Sequence, residues 1–244
     1  MIQVEIKSIQ DLLMELGKET YSGATWFRGQ ADSAWELIPG YYRLTAPPSE
    51  STLIKKFKQS AAMLIDNIPK LSFDWLFLMQ HYGVPTRLLD WSESALVALY
   101  FAVEDQSIDA EGALWALKPT ELNKNAGINN KDEDFFIPSF EDTELENYTV
   151  ERLSQNQRTQ LKPVATIATR NNSRIQAQYG VFTIHHLERC SIEFIGDHSH
   201  MKKYVIPQKN KKEILKQLSL LGVTKFQLFP ELASIGDIIK EGLK

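Results

Sequence analysis

Arg28 lies in the run Trp26-Phe27-Arg28-Gly29-Gln30, at the end of what reads as a short strand. A guanidinium there presents a planar fork of donors that matches a phosphate or a carboxylate. Gly29 lacks the side chain that would keep a ligand off the backbone. A second run, His81-Tyr82-Gly83-Val84-Pro85-Thr86-Arg87-Leu88-Leu89-Asp90-Trp91-Ser92, sets an imidazole, a guanidinium, a carboxylate and two hydroxyls within twelve positions. Such a set can bind an anion or move a proton. A third polar cluster, Asn172 to Gly180, carries Gln178 two residues before a glycine, where a buried amide can hold a ribose or a backbone edge.

Each of these groups also has a purely structural reading. Arg28 can be an ordinary surface ion pair. His81 can sit against the negative end of a helix. Arg87 and Asp90 can pair with each other to fix a strand, and Trp91 can be core. His185, His186, His198 and His200 with Asp197 suggest a metal, yet their spacing matches no common zinc pattern, and the single cysteine, Cys190, adds little. Gly-x-Gly-x-x-Gly, P-loop and Gly-x-Ser-x-Gly runs are missing from the sequence, which argues against Rossmann, nucleotide-loop and α/β-hydrolase chemistry.

The elements that must position these residues follow from periodicity and punctuation. Strands are expected at Ile2 to Ile6, Thr25 to Arg28, Thr86 to Trp91, Gly112 to Leu117, Val164 to Ala168, Val181 to His185, Ile192 to Ile195, Tyr204 to Pro207 and Lys225 to Phe229. Helices are expected around Leu12 to Leu16, from Leu53, and after Ser72 as far as Gln80-His81, where Gly83 and Pro85 follow. A further helix from Glu93 to Val103, with Ser92 as its cap, is apolar on nearly every side and belongs in the middle of the fold. Asn210 is expected to cap a helix that stops at Gly222, and Pro230 to open a last one. The polar, weakly periodic stretch 119–161 reads as a surface insertion within one domain spanning residues 1–244.

With 244 residues, 43% of them hydrophobic, the chain can bury one sizeable core. A net charge of −4 weakens the case for broad, non-specific nucleic-acid binding, although a local basic groove remains compatible with it. The lone cysteine, the lack of a long apolar stretch and the lack of a signal-like start lead us to expect a soluble, cytoplasmic protein.

Taken together, these runs resemble the FRG domain, named for its Phe-Arg-Gly signature. The resemblance begins at Trp26-Phe27-Arg28-Gly29-Gln30 with Trp35, Leu37, Pro39 and Arg43. It continues through Met79 to Trp91 and through Leu99-Tyr100-Phe101-Ala102 and Gly112 to Leu117. It ends with Arg174 to Thr183, Leu221-Gly222 and Leu228-Phe229-Pro230. A more distant resemblance is to ADP-ribosyltransferases, which open on an aromatic-Arg-Gly strand and follow it with a serine-bearing strand and an Ala- and Phe-rich helix. It implies an α+β fold in a single mixed domain, with a central split sheet flanked by helices. It also implies NAD as substrate. In that reading Arg28, with Gly29, Gln30, Arg43 and Arg87 around it, clamps the pyrophosphate. Ser92 and Thr86 touch ribose, Tyr41 or Tyr82 stacks on nicotinamide, and His81 with Asp90 activates the acceptor. The glutamate that those enzymes use corresponds to the neighbourhood of Gln178. This is a departure, because an amide carries no charge to steady a developing cation. The acceptor implied is RNA, DNA or protein, in a bacterial or phage defence or toxin setting, with an antitoxin or defence-system partner. The competing readings are a non-catalytic nucleotide or nucleic-acid recognition module, with Arg28, Arg43, Arg87, Arg170 and Arg174 lining a basic pocket, and a metal-dependent nuclease.

Overall fold

The computed structural model describes residues 2–20, 23–65, 68–128, 133, 135–155, 160–168 and 173–241. In chain order the regular elements are β1 (Ile2–Glu5), α1 (Ile9–Leu16), β2 (Trp26–Gln30), α2 (Glu50–Ala61), α3 (Ser72–His81), β3 (Leu88–Ser92), α4 (Ala95–Val103) and β4 (Gly112–Leu117). They continue with α5 (Pro119–Asn125), α6 (Val150–Gln155), β5 (Val164–Thr166), α7 (Ser173–Ala177), β6 (Gly180–Ile184), β7 (Met201–Ile206), α8 (Gln208–Leu220), α9 (Lys225–Leu228) and α10 (Leu232–Glu241). Short 3₁₀ turns lie at Gly40–Arg43, Thr143–Tyr148 and Ile192–Phe194.

The strands form one seven-stranded sheet in the order β1-β7-β4-β2-β3-β6-β5. Only β1 and β7 run parallel among the pairs described; the rest are antiparallel. The chain is therefore of mixed α+β class, with helices flanking a single sheet. Between β2 and β3 the register holds at one pair, Phe27 with Ser92, whereas β2 and β4 match over five. The sheet parts there, in its middle.

Three apolar clusters hold the layers together. Phe27, Leu99, Tyr204 and Ile214 belong to the one that α1, α4 and α8 build with the sheet. Leu76, Met79, Leu88 and Phe182 belong to a second, under α2 and α3. Trp26, Leu89, Trp91 and Trp115 belong to a third. Helix α4 starts at Ser94, whose side chain accepts from the Val97 backbone N–H, and not at Ser92. The segment read as a polar insertion also contributes core, with Leu122, Phe140, Leu145, Tyr148, Val150 and Leu153 all buried.

Two expected strands take another form. Ile192 to Phe194 is a 3₁₀ turn whose Ile192 enters the third cluster. Lys225 to Leu228 is a helical turn capped by Thr224, whose hydroxyl accepts from Gln227. In each, three apolar residues were too few to carry a strand period, and at Lys225 the Thr224 cap works against it as well. The helix expected to be capped by Asn210 instead begins at Gln208, after Pro207. No helix among the described residues is long and apolar enough to cross a membrane.

Candidate active site

Where β2 and β3 part, a cleft of about 390 Å³ opens, within the range of small-ligand sites. Strands β2 and β3 form its base. Phe77, Gln80 and His81 come from α3, Phe101 and Glu104 from the end of α4, and Arg174 and Gln178 from the region of α7. Eight residues given a role in the transferase reading line it together, namely Arg28, Gly29, Gln30, Arg43, His81, Asp90, Ser92 and Gln178, and Arg174 from the basic-pocket reading joins them.

Arg28 spans the parting. Its Nη1 donates to the Asp90 carbonyl at 2.6 Å, and its Nε is buried without a partner. Burial pushes the guanidinium down to about 10, with the Asp90 charge opposing this and Arg43 reinforcing it. It stays charged at neutral pH, with donors left over for an anion. Arg43 donates through Nε to the Ile38 carbonyl at 2.9 Å. Gln30 accepts from the Trp115 indole at 2.7 Å, which anchors this end of β2 to β4.

Asp90 is exposed in a strand whose other four residues are buried. A carboxylate opening to a cleft from a central strand is not explained by packing. Its Oδ2 accepts from Gln80 Nε2 at 2.7 Å. The Arg87–Asp90 pair considered from sequence does not form. Arg87 is 2% exposed and pairs with Glu50 at 2.7 Å, and its Nη2 donates to the Tyr148 carbonyl at 2.8 Å. It pins α2 to the rest of the fold, away from the cleft.

His81 is held below its ordinary value, first by burial and then by the Arg174 charge, with Glu231 opposing. Its Nε2 lies 3.7 Å from Glu231 Oε1, and its Nδ1 is buried without a partner. The imidazole is therefore neutral at pH 7 and able to accept a proton. Arg174 donates to the His81 carbonyl at 3.3 Å and stacks over Phe229 at 4.7 Å. Gln178 Nε2 donates to the Leu228 carbonyl at 3.0 Å, so part of its capacity serves to hold the segment before α10.

Several expected roles do not survive the geometry. The Ser92 hydroxyl donates to the Gln178 carbonyl at 2.7 Å and accepts from the Ser94 N–H at 3.0 Å, so it is spent inside the protein. Thr86 is fully buried and donates to Gln80. Tyr41 donates to the Pro48 carbonyl at 3.0 Å, and Tyr82 is 67% exposed against Phe57; neither lines the cleft. The aromatic walls are instead Trp35, Phe77, Trp91, Phe101 and Phe182. The space left by Gly29 is filled by helix and not by ligand: a Cβ there would lie 1.9 Å from the Ala98 carbonyl oxygen. Arg170 lies outside the described residues.

The sequence reading did not mark Gln80 or Glu104 as site residues. Gln80 immediately precedes the second run, between Met79 and His81, so the signal was position and not residue type. Glu104 follows the apolar α4 as its C-cap, with its carboxyl raised by burial despite a hydrogen bond with Tyr100. An acid at the negative end of a helix is disfavoured there, which is a signal the sequence does carry.

The histidines outside the cleft serve the backbone. His185 meets the Cys190 carbonyl at 2.9 Å, His200 meets that of Ile192 at 3.0 Å, and His198 meets that of Glu193 at 2.7 Å. Among the described residues no group of three or more His, Cys, Asp and Glu side chains is arranged to hold a metal ion.

No curated protein and no solved structure matches the chain. Residues 23–111 run from just before β2 to the residue preceding β4, and so contain Arg28, Gln80, His81, Asp90 and Glu104. That stretch matches the family model of the FRG domain, and the chain carries an FRG domain.

Proposed function

We propose that the cleft binds NAD and that the chain is an ADP-ribosyltransferase-like enzyme. The observation that carries this reading is Arg28: a desolvated guanidinium, with an unpartnered Nε, at the base of a cleft between separating strands. A cation so placed is costly unless an anion completes it, and a pyrophosphate suits its fork. The aromatic walls supply faces for a base or a nicotinamide ring. In the reaction, the bond from ribose C1′ to nicotinamide nitrogen breaks and its electron pair leaves with nicotinamide. A nucleophile on RNA, DNA or protein forms the new bond to C1′ and gives its proton to neutral His81. Asp90 and Glu104 supply negative charge beside the developing cation.

The test is nicotinamide release from NAD, with NAD binding followed by calorimetry for the unaltered protein and Arg28→Ala. Release and binding by the unaltered protein are expected, with binding weakened at least tenfold in the variant while its melting temperature is kept. Undiminished binding in Arg28→Ala would overturn the reading. Gln178 favours a second one: its amide is engaged with Leu228, which suits a recognition module that holds a nucleotide without turning it over. Tight NAD binding with no nicotinamide release in the presence of nucleic acid or lysate would select that module.

A further inference from the structure

Asp90 is not merely exposed; it is aimed. The Leu88 backbone N–H donates to Thr86 Oγ1 at 3.1 Å, so the Thr86 hydroxyl must direct its own hydrogen elsewhere. It donates to Gln80 Oε1 at 2.7 Å. The Asp90 carboxylate, which only accepts, fixes which end of the Gln80 amide is which: the Nε2 end donates to Asp90 Oδ2 at 2.7 Å and leaves Oε1 to accept from Thr86. The three side chains form a one-way series that begins on backbone and ends on a carboxylate. Asp90 Oδ1 accepts no hydrogen bond among the described residues, and the Asp90 carbonyl holds Arg28. A single residue thus sets a cationic donor and an acceptor-only oxygen side by side at the cleft.

We propose that Thr86 and Gln80 are positioning residues that hold Asp90 Oδ1 to accept from a ribose hydroxyl, so that the cleft reads the free diol of a nucleotide next to its phosphate. The inference rests on the nucleotide reading above and narrows it. An anion beside a hydroxyl donor is the chemistry of a ribose 5′-phosphate. A ligand offering a second anion to Asp90 would be repelled.

The experiment measures binding of NAD and of two NAD analogues, one dideoxygenated at the nicotinamide ribose and one at the adenine ribose. The unaltered protein is expected to bind one analogue roughly tenfold more weakly than NAD, the loss of one hydrogen bond to a charged group. Thr86→Val, which keeps the shape and removes the hydroxyl, should bring that ratio close to one. Thr86→Ser should preserve it. Gln80→Leu repeats the test at the middle of the series should Thr86→Val fail to fold. A purely structural role for Thr86 would lower the melting temperature without moving the ratio, and that result would overturn the proposal. So would equal binding of NAD and both analogues by the unaltered protein, which leaves the nucleotide reading intact. Absence of NAD binding altogether would overturn both.

Discussion

Ser92 shows how a residue can stand at a site without serving it. Its hydroxyl faces inward, between the Gln178 carbonyl and the Ser94 amide, and joins β3 to the turn before β6. Ser92→Ala is therefore expected to cost about 1 kcal/mol of stability while leaving NAD affinity unchanged, as denaturant melts and calorimetry on the same sample would show. Arg28 and Asp90 were legible from sequence because their types were out of place in apolar strands. Thr86 was legible as polar but not in role, because its partner Gln80 lies across a turn and only the fold sets them 2.7 Å apart. The aromatics were misassigned for a related reason. Tyr41 and Tyr82 stood out by type, whereas Phe77, Phe101 and Phe182 looked like core and line the cleft from elements far apart in the chain.

Among the elements, α4 packs backbone to backbone on β2. Gly29 lets the helix backbone rest directly on the strand, and Gly112 does the same on β4, where a Cβ would lie 2.6 Å from the Ala102 carbonyl oxygen. This approach brings Ala98 and Phe101 of the same helix to the lining of the cleft. Gly29→Ala would push backbone against backbone, which side-chain repacking cannot relieve. A loss of about 2–3 kcal/mol is expected, read as a lowered denaturant midpoint, with weakened NAD binding as α4 shifts. The α4 helix itself was plain in the sequence because its apolar run exceeds what one buried face needs. The turns at Ile192 and Lys225 were not: a weak alternation gives way to the Thr224 cap at Lys225 and to the burial of Ile192 in the third cluster only once the neighbouring chain is in place.

For the molecule as a whole, buried histidines set the acid limit. His185 is fully buried and burial lowers it to about 3 from an ordinary 6.5; His186 and His200 are lowered by the same cause. The unfolded chain takes up these protons near pH 6.5, whereas the folded chain resists them, so the unfolded state binds more protons in between. Stability should be full above about pH 6.5 and fall as the pH drops towards 3. Thermal melts at neutral pH and near pH 5 check this; a melting temperature that rises on acidification would contradict it. The sheet order lay beyond the sequence for a different reason. Strands of similar apolar character gave no clue that β7 would lie between β1 and β4, a choice made by long-range pairing.

The single register pair between β2 and β3 has a topological consequence. On one side of the parting stand β1, β7, β4 and β2; on the other stand β3, β6 and β5. The chain crosses that line from β2 to β3, from β3 to β4, from β4 to β5 and from β6 to β7. Neither half is a continuous stretch of sequence, so the covalent chain laces the two together where the β2–β3 register holds at a single pair.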